Sequence, residues 1–429
     1  MLSVSTALAR LQDGLGESFP DSPGTRIIDV AFPLNDAFDP LLWCGQQAQW
    51  PQFYWQQRNG DEELATLGAV KTFTSLDAAN RFLRQADRQD LRICGLNAFE
   101  PQQGSLALPR LEWRRCGGRA VLRLVLHSDI SLREDAATAR AFLASLTTTQ
   151  ATPGAIPPLL SERHSSDYPQ WQAMIARATK AISAGEMDKV VLARATDLQF
   201  AAPLDAVSIM AASRRSNLNC FHFLMAFNAR QAFFGSTPER LWRRRGALLR
   251  TEALAGTVAN HQEDAKAQQL ADWLMKDDKN QRENMLVVED ICQRLQSEAS
   301  TLDVLPPQVV RLRKVQHLRR CIWTELAAPD DSRCLLQLQP TAAVAGLPRR
   351  AALAFIQRHE PFSREWYAGS AGYLSLAQSE FCVALRSAKV NHDTLRLYAG
   401  AGIVSGSDAQ QEWQEIDNKA AGLRSLLCP

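Results

Sequence analysis

Hydrophobic positions recur with two periods along the chain, and these periods predict where strands and helices lie. In residues 1 to about 148, the runs "RIIDVAF", "QFYWQQR" and "AVLRLVLHS" have the alternating or continuous apolar character of strands. The segments "SLDAANRFLRQ" and "REDAATARAFLASL" repeat their apolar residues at helical spacing. This part therefore predicts mixed strands and helices, and its charged residues form no group that indicates chemistry.

A segment rich in Pro, Ser and Thr, Thr147 to Gln170, follows and is the best candidate for a linker or a domain seam. The pattern after it is sharper. Strands are predicted at 189–200, 221–227, 232–236 and 248–257, and late in the chain at "AGYLSL", "EFCVALRSAKV" and "LRLYAGAGIV". Helices are predicted in "YPQWQAMIARATKAISAG", at 205–217, at 262–297 with a break, at 349–359, and from Asp408 to about Leu427. Neighbouring strands joined by short turns favour an α+β fold with large antiparallel sheets.

Composition narrows the possible partners and the compartment. The net charge is +2, so no nucleic-acid-binding face is indicated, and we expect Arg243-Arg244-Arg245 to mark an exposed turn after a strand. No stretch approaches the ~20 apolar residues of a membrane helix, and the N-terminal amphipathic pattern lacks the apolar region of a secretory signal. The nine cysteines include no C-x-x-C pair and mostly lie in apolar runs. They predict reduced core residues in a cytoplasmic protein.

Two charged residues lie within or beside apolar segments that are expected to be buried. Lys189 begins the apolar run "KVVLARA", and it is either a solvated charge at a strand end or a buried base. Glu239 follows Pro238 in "FFGSTPERLW". It is either the first turn of a helix or a carboxyl group whose pKa burial raises, so that it can serve as an acid.

Two later helices carry glutamates on a partly apolar face. Glu283 lies in "KNQRENMLVVEDICQRL", and Glu412, Glu415 and Lys419 share one face of "DAQQEWQEIDNKAAGL". One reading is an exposed Glu415–Lys419 pair, which stabilises a helix by only a few tenths of a kcal/mol. The other is a Mg²⁺ site, since Mg²⁺ takes one or two carboxylates together with an anionic substrate.

Glycines interrupt two strand-like runs, "ALAGT" (253–257) and "YAGAGIV" (398–404). Glycine within a strand indicates a bulge or a close approach of the backbone to another group. That group can be a packed neighbour or a carboxylate held by backbone N–H groups.

Taken in order, "GSTPERL", "ALAGT", "REN", "VQHL", "RSA", "GAGIV" and "EWQEIDNKA" resemble the chorismate-utilising enzyme family, which includes isochorismate, salicylate, anthranilate and aminodeoxychorismate synthases. The resemblance covers roughly residues 165–429 as the catalytic region, with residues 1–148 expected to complete the fold. Over the whole length the chain looks most like the isochorismate synthases of menaquinone biosynthesis. The family implies an α+β fold with a large layered antiparallel β-sandwich flanked by helices, the cofactor Mg²⁺ and the substrate chorismate.

The resemblance also implies a role for each motif residue. Lys189 matches the general base that activates water for attack at C2 of the ring, and Glu239 matches the acid that protonates the departing C4 hydroxyl group. Glu283 and Glu415 match the Mg²⁺ ligands, with Glu412 as a second acidic position nearby. The positions that match substrate-binding residues are Leu254, Gly256, Thr257, His317, Tyr367, Arg386, Gly400 and Lys419.

Lys189 indicates a member that uses water, because members that use ammonia lack a lysine there. The run "VVEDICQRL" also departs from the "D-L-x-R-N-D" of the ammonia users, so no glutaminase subunit is expected. We therefore expect reversible conversion of chorismate to isochorismate. A salicylate synthase, which also eliminates pyruvate, and a protein that binds chorismate without reaction are the alternatives.

Overall fold

The computed structural model describes residues 4–34 and 37–427. The helices in this part of the chain are α1 Val4–Gly14, α2 Pro40–Gly45, α3 Leu76–Ala86, α4 Leu132–Ala144, α5 Tyr168–Ser183, α6 Ala206–Ser216, α7 Asp264–Lys276, α8 Asp278–Leu295, α9 Asp331–Leu338, α10 Arg349–His359 and α11 Ala409–Leu427. The strands are β1 Gly24–Pro33, β2 Gln52–Gln56, β3 Glu63–Phe73, β4 Ile93–Asn97, β5 Gly104–Cys116, β6 Arg119–Ser128, β7 Leu159–His164, β8 Lys189–Phe200, β9 Phe221–Asn228, β10 Gln231–Thr237, β11 Arg240–Arg245, β12 Leu248–Ala259, β13 Ala299–Val304, β14 Gln308–Arg311, β15 Val315–Leu326, β16 Gly346–Leu347, β17 Ser370–Leu374, β18 Gln378–Val383, β19 Ser387–Asn391 and β20 Thr394–Ile403.

The strands form two antiparallel branches that meet at the long strand β5. One branch runs through β3, β2, β9, β10, β19, β20 and β8. The other runs through β4, β17, β18, β11, β12 and β15. Because β2 pairs with β9 and β4 pairs with β17, strands from the first 148 residues lie inside both branches.

Alternating side chains of the first branch supply two separate cores. Phe53 and Trp55 of β2 face the core between the branches, whereas Tyr54 faces a second core beneath helices α1, α2, α4 and α6. Phe223 and Leu224 of β9 divide in the same way. This period of two follows from strand geometry and explains why these strands are apolar on both faces. The predicted α+β fold with a large layered antiparallel β-sandwich flanked by helices is confirmed.

One local expectation is wrong, and two further features were not predicted. The arginine run 243–245 lies within β11 instead of an exposed turn, and Arg244 is buried with a bidentate ion pair to Asp331. The segment from Thr147 to Gln170 contains β7, which pairs with β8. Strand β15 was not predicted, because charged residues on its partly exposed side interrupt its apolar pattern.

The cysteines agree with the sequence reading where they can be compared. Cys44, Cys94, Cys220, Cys334 and Cys382 are buried free thiols, and Cys292 and Cys321 are partly buried. Cys428, the Cys116 side chain and residues 1–3 of the N-terminal pattern lie outside what the structure describes. No helix of the described residues is long and apolar enough to cross a membrane.

Candidate active site

One cavity of about 690 Å³ opens between β8, β12, β20, α8 and α11. Every residue that the sequence reading selected lines it, which brings together positions more than 200 residues apart in the chain. They are Lys189, Glu239, Leu254, Gly256, Thr257, Glu283, His317, Tyr367, Arg386, Gly400, Glu412, Glu415 and Lys419.

Lys189 is buried, with 1% of its surface exposed, at the first position of β8. Its Nζ donates a hydrogen bond of 3.0 Å to Oε1 of Glu283. Gly402 of β20 lies against it, and a Cβ atom there would be 3.0 Å from Cε of Lys189. The lysine is therefore a buried group on the cavity wall and not a solvated strand end.

Glu239 lies in the short connection between β10 and β11, so it does not begin a helix. It is 2% exposed, and its Oε1 has no hydrogen-bond partner among the residues described. Burial and the negative charge of Glu252 raise the pKa of Glu239 to about 8, although Lys189 and Lys419 oppose the shift. A carboxyl group of this kind is protonated at neutral pH and can deliver a proton.

Three carboxylates occupy another part of the wall. Burial would raise the pKa of Glu283, but the charge and hydrogen bond of Lys189, together with other lysine charges, hold it below the ordinary value. Glu415 pairs with Lys419 at 2.5 Å. Burial and the charge of Glu415 raise the pKa of Glu412. Among the described residues, no three His, Cys, Asp or Glu side chains are grouped closely enough to hold a metal ion.

A bulge in β12 shapes the edge of the cavity beside His317. The register of β12 with β15 shifts between Leu254 and Thr257, and Gly256 has a φ of +86° at the bulge. Thr257 Oγ1 and His317 Nδ1 share a hydrogen bond of 3.0 Å, and Arg386 Nη2 lies 3.2 Å from His317 Nε2. Burial and the charge of Arg386 lower the pKa of His317, so the ring is neutral. Because a guanidinium only donates, Nε2 accepts and the ring proton resides on Nδ1.

Tyr367, Arg386, Gly400 and Lys419 form the part of the cavity wall next to His317 and Glu415. Tyr367 stacks on Tyr398 with ring centroids 5.0 Å apart. A Cβ atom at Gly400 would be 2.9 Å from the Tyr367 hydroxyl group. Lys419 Nζ donates to the carbonyl oxygen of Gly400 at 2.9 Å. This wall therefore carries a guanidinium, an ammonium group and a phenol, which suit an anionic ligand.

Sequence reasoning missed two asparagines near Glu283 in helix α8, Asn280 and Asn284. Asn280 Oδ1 accepts from the backbone N–H of Thr257 at 3.0 Å. Asn284 is fully buried and donates to the carbonyl oxygens of Ala253, Ala255 and Leu318. These bonds attach helix α8 to the bulge. Asparagine is disfavoured in the interior of a helix, so its presence there could have indicated a specific hydrogen-bonding role.

Comparison with known proteins identifies the class. The model of the family described as chorismate binding enzyme matches residues 96–428. The chain belongs to this family, and the prediction that it is an enzyme of the chorismate-utilising type is confirmed.

Individual relatives agree with the family. Isochorismate synthase MenF of Escherichia coli strain K12 is 66% identical over 428 residues, which cover 100% of this chain and 99% of that protein. Isochorismate synthase MenF of Haemophilus influenzae is 39% identical, covering 91% of this chain and 90% of that protein. The structure of MenF, described as the menaquinone-specific isochorismate synthase from Escherichia coli, matches with a TM-score of 0.97 and 66% identity over 99% of this chain and 100% of that one.

A more remote structure shares the fold alone. Anthranilate synthase component I from Streptococcus pneumoniae matches with a TM-score of 0.65 at 18% identity, covering 95% of this chain and 93% of that chain. This likeness shows a shared fold only, and the function has to be argued from the site.

Proposed function

We propose that this protein is an isochorismate synthase that converts chorismate reversibly to isochorismate for menaquinone biosynthesis. The observation that carries the proposal is that Lys189 and Glu239, both almost fully buried, line one cavity together with a carboxylate cluster and Arg386. The 66% identity to isochorismate synthase MenF over the full length supports the same conclusion.

In the proposed reaction, Lys189 and Glu239 transfer protons at two different carbons of one ring. Lys189 takes a proton from water as the water oxygen bonds to C2. Both ring double bonds then shift by one position, and the C4–O bond breaks. Glu239 gives its proton to the departing hydroxide, so that one water is consumed and one is released. The pKa of about 8 supports this role, because Glu239 holds a proton at neutral pH.

The substrate is a dicarboxylate, and the cavity wall offers a binding group for the carboxylate of its side chain. Arg386 can hold that carboxylate with its planar guanidinium, beside Tyr367 and the backbone at Gly400. Leu254, Gly256 and Thr257 would lie beside the ring, and His317 and Lys419 would complete the pocket. The neutral His317 accepts a hydrogen bond from Arg386 and so fixes the guanidinium plane.

We further propose Mg²⁺ as the cofactor, which Glu283 and Glu415 would bind, with Glu412 as the second acidic metal-site position nearby. These are hard oxygen ligands, and Mg²⁺ needs only one or two carboxylates when waters and a substrate oxygen complete its shell. Burial raises the pKa of Glu412, and the negative charge of Glu415 adds to the rise; a cation would relieve that second contribution. When bound, the ion would orient the ring carboxylate and offset the charge that accumulates on it.

We propose that residues 1–148 and 165–429 form one integrated unit, with no glutaminase subunit, nucleic acid or membrane partner, in the cytoplasm. The pairing of β2 with β9 and of β4 with β17 supports the integrated unit. Limited proteolysis between Thr147 and Gln170 tests it. Release of a stable and active C-terminal fragment would contradict it.

Proton NMR of chorismate incubated with the purified protein, with and without Mg²⁺, tests the activity. The proposal predicts isochorismate in a partial equilibrium, only with Mg²⁺ and without pyruvate. Pyruvate and salicylate would instead indicate a salicylate synthase. Unchanged chorismate under both conditions would indicate a protein that binds chorismate without reaction.

A further inference from the structure

The connection that carries Glu239 is held from behind by an ion pair outside the cavity. Glu252 of β12 is 1% exposed, and its carboxylate accepts from Arg58 at both oxygens, Nη1 to Oε1 at 2.7 Å and Nη2 to Oε2 at 2.8 Å. Oε1 also accepts from the backbone N–H of Arg240 at 2.8 Å. Arg58 Nη1 donates in addition to the carbonyl oxygen of Pro238 at 2.8 Å.

The two residues on either side of Glu239 are therefore both fixed by one ion pair. Pro238 is bound through its carbonyl oxygen and Arg240 through its amide. Arg58 lies in the turn between β2 and β3, in the N-terminal part to which the sequence assigned no function. A bidentate Arg–carboxylate pair is rigid and holds its carboxylate ionised.

Glu252 supplies the negative charge that opposes the positive charges around Glu239. Lys189 and Lys419 both act on Glu239 from the cavity side and favour its ionised form. Arg58 and the Arg240 guanidinium add positive charge behind it, but each is paired with a carboxylate, Glu252 and Glu380 respectively. Burial and the fixed negative charge of Glu252 are the two influences that oppose the lysines.

We propose that Glu252, locked in its ionised form by Arg58, is a positioning residue that keeps Glu239 protonated and fixes its place at the cavity. This inference rests on the proposed function, because it concerns the proton that Glu239 delivers. It also assigns the N-terminal part a share in catalysis, since Arg58 comes from there.

The test is the variant Glu252→Gln in the full-length protein, followed by two independent readouts. The first is the pH profile of kcat/KM for chorismate. The second is infrared difference spectroscopy of the protonated carboxyl band of Glu239, assigned by its loss in Glu239→Gln. We expect the midpoint of the band and the alkaline limb of the profile to move together to lower pH by about one unit. Glu252→Asp, which keeps the negative charge, should leave both midpoints close to those of the unmodified protein.

The matched control is Glu112→Gln, which neutralises another buried carboxylate, 1% exposed on β5, that does not contact the 238–240 connection. It should leave both midpoints in place. If Arg58 without a counter-charge prevents folding, the double variant Arg58→Gln, Glu252→Gln replaces the ion pair with neutral amides. A smaller shift in the same direction is then expected, because the positive charge of Arg58 is removed together with the negative charge of Glu252.

Two outcomes separate the inference from the proposed function. A loss of activity that is equal at every pH, with the band of Glu239 unmoved, would overturn the inference and leave Glu252 a purely structural residue. A shifted band with an unshifted alkaline limb would support the electrostatic coupling but overturn the role of Glu239 as the acid.

Discussion

Lys189 and Glu283 form a partly buried hydrogen bond of 3.0 Å in the candidate active site, from the first residue of β8 to helix α8. Gly402 lies against this pair, where a Cβ atom would be 3.4 Å from Nζ of Lys189 and 3.5 Å from Oε1 of Glu283. The proposed base and a proposed metal ligand are thus held by one contact, and the glycine leaves room for it.

Gly402→Ala should therefore displace the Lys189 amino group. We expect kcat to fall by roughly tenfold or more, since small misplacements of catalytic groups are costly. Steady-state kinetics measure the change in kcat, and thermal unfolding measures any change in stability. Gly154→Ala is the control, because no atom lies within 4 Å of the added Cβ. Unchanged kcat in Gly402→Ala would show that the position of Lys189 does not limit the reaction.

The variants Lys189→Ala and Glu239→Gln remove the proposed base and acid. Each should reduce kcat by about 10²–10⁴-fold, the usual contribution of general acid–base catalysis. Circular dichroism and thermal unfolding should show that both variants keep the fold. Near-normal turnover in either variant would contradict the role assigned to that residue.

The pH dependence follows from the pKa of Glu239, about 8. Below this value Glu239 is protonated and able to donate, so kcat/KM should decline as pH rises through about 8. Stability has the same sign, because an acid whose pKa is raised on folding favours the folded state less as pH rises from its unfolded pKa to its folded pKa. Urea unfolding at pH 6 and pH 9 should show that Glu239→Gln gains stability relative to the unmodified protein at the higher pH. An equal difference at both pH values would contradict the raised pKa.

Gly256→Ala tests the bulge in β12. The added Cβ would meet the carbonyl oxygen of Asn280 at 3.1 Å, and the positive φ is unfavourable for alanine. We expect a loss of stability of about 1 kcal/mol or more and a raised KM, because Thr257 and His317 move with the bulge. Gly185→Ala, with a φ of +73° and open space around its Cβ, pays the backbone cost alone and should keep its KM. If the KM of Gly256→Ala equalled that of Gly185→Ala, the bulge would have no part in substrate binding.

Removal of Mg²⁺ by a chelator should abolish activity, and added Mg²⁺ should restore it. Glu283→Gln and Glu415→Gln should each require more Mg²⁺ for half-maximal activity, by about tenfold or more. Isothermal titration of the protein with Mg²⁺ provides a readout apart from catalysis. Glu289→Gln, on the exposed side of the same helix, is the control. The same Mg²⁺ requirement in all three variants would contradict the proposed ligands.

The sequence predicted the strands β8, β9, β10 and β12 and the helix α11 well. In these segments the spacing of the apolar residues and the residue types both indicate the same kind of element. It failed at β15, where the adjacent Arg319 and Arg320 interrupt the apolar pattern, and at Arg244, whose burial depends on a distant partner, Asp331. Pairing with a residue 87 positions away has no local signature.

The candidate site was found through motifs, and its physical organisation could not be read from them. Lys189 and Glu239 each allowed a structural interpretation from local pattern alone. Arg58 and Glu252 have no motif that connects them, since their pairing arises from the docking of the β2–β3 turn on β12. Contacts of this kind require the folded chain.

The most direct test of the proposed reaction is to run it in H₂¹⁸O and measure the mass of the isochorismate formed in the first turnovers. If Lys189 activates water for attack at C2 while the C4 hydroxyl group departs, the product carries one ¹⁸O in its ring hydroxyl group. Product without the label would mean that the hydroxyl group migrates within the ring, and it would contradict the roles of both Lys189 and Glu239.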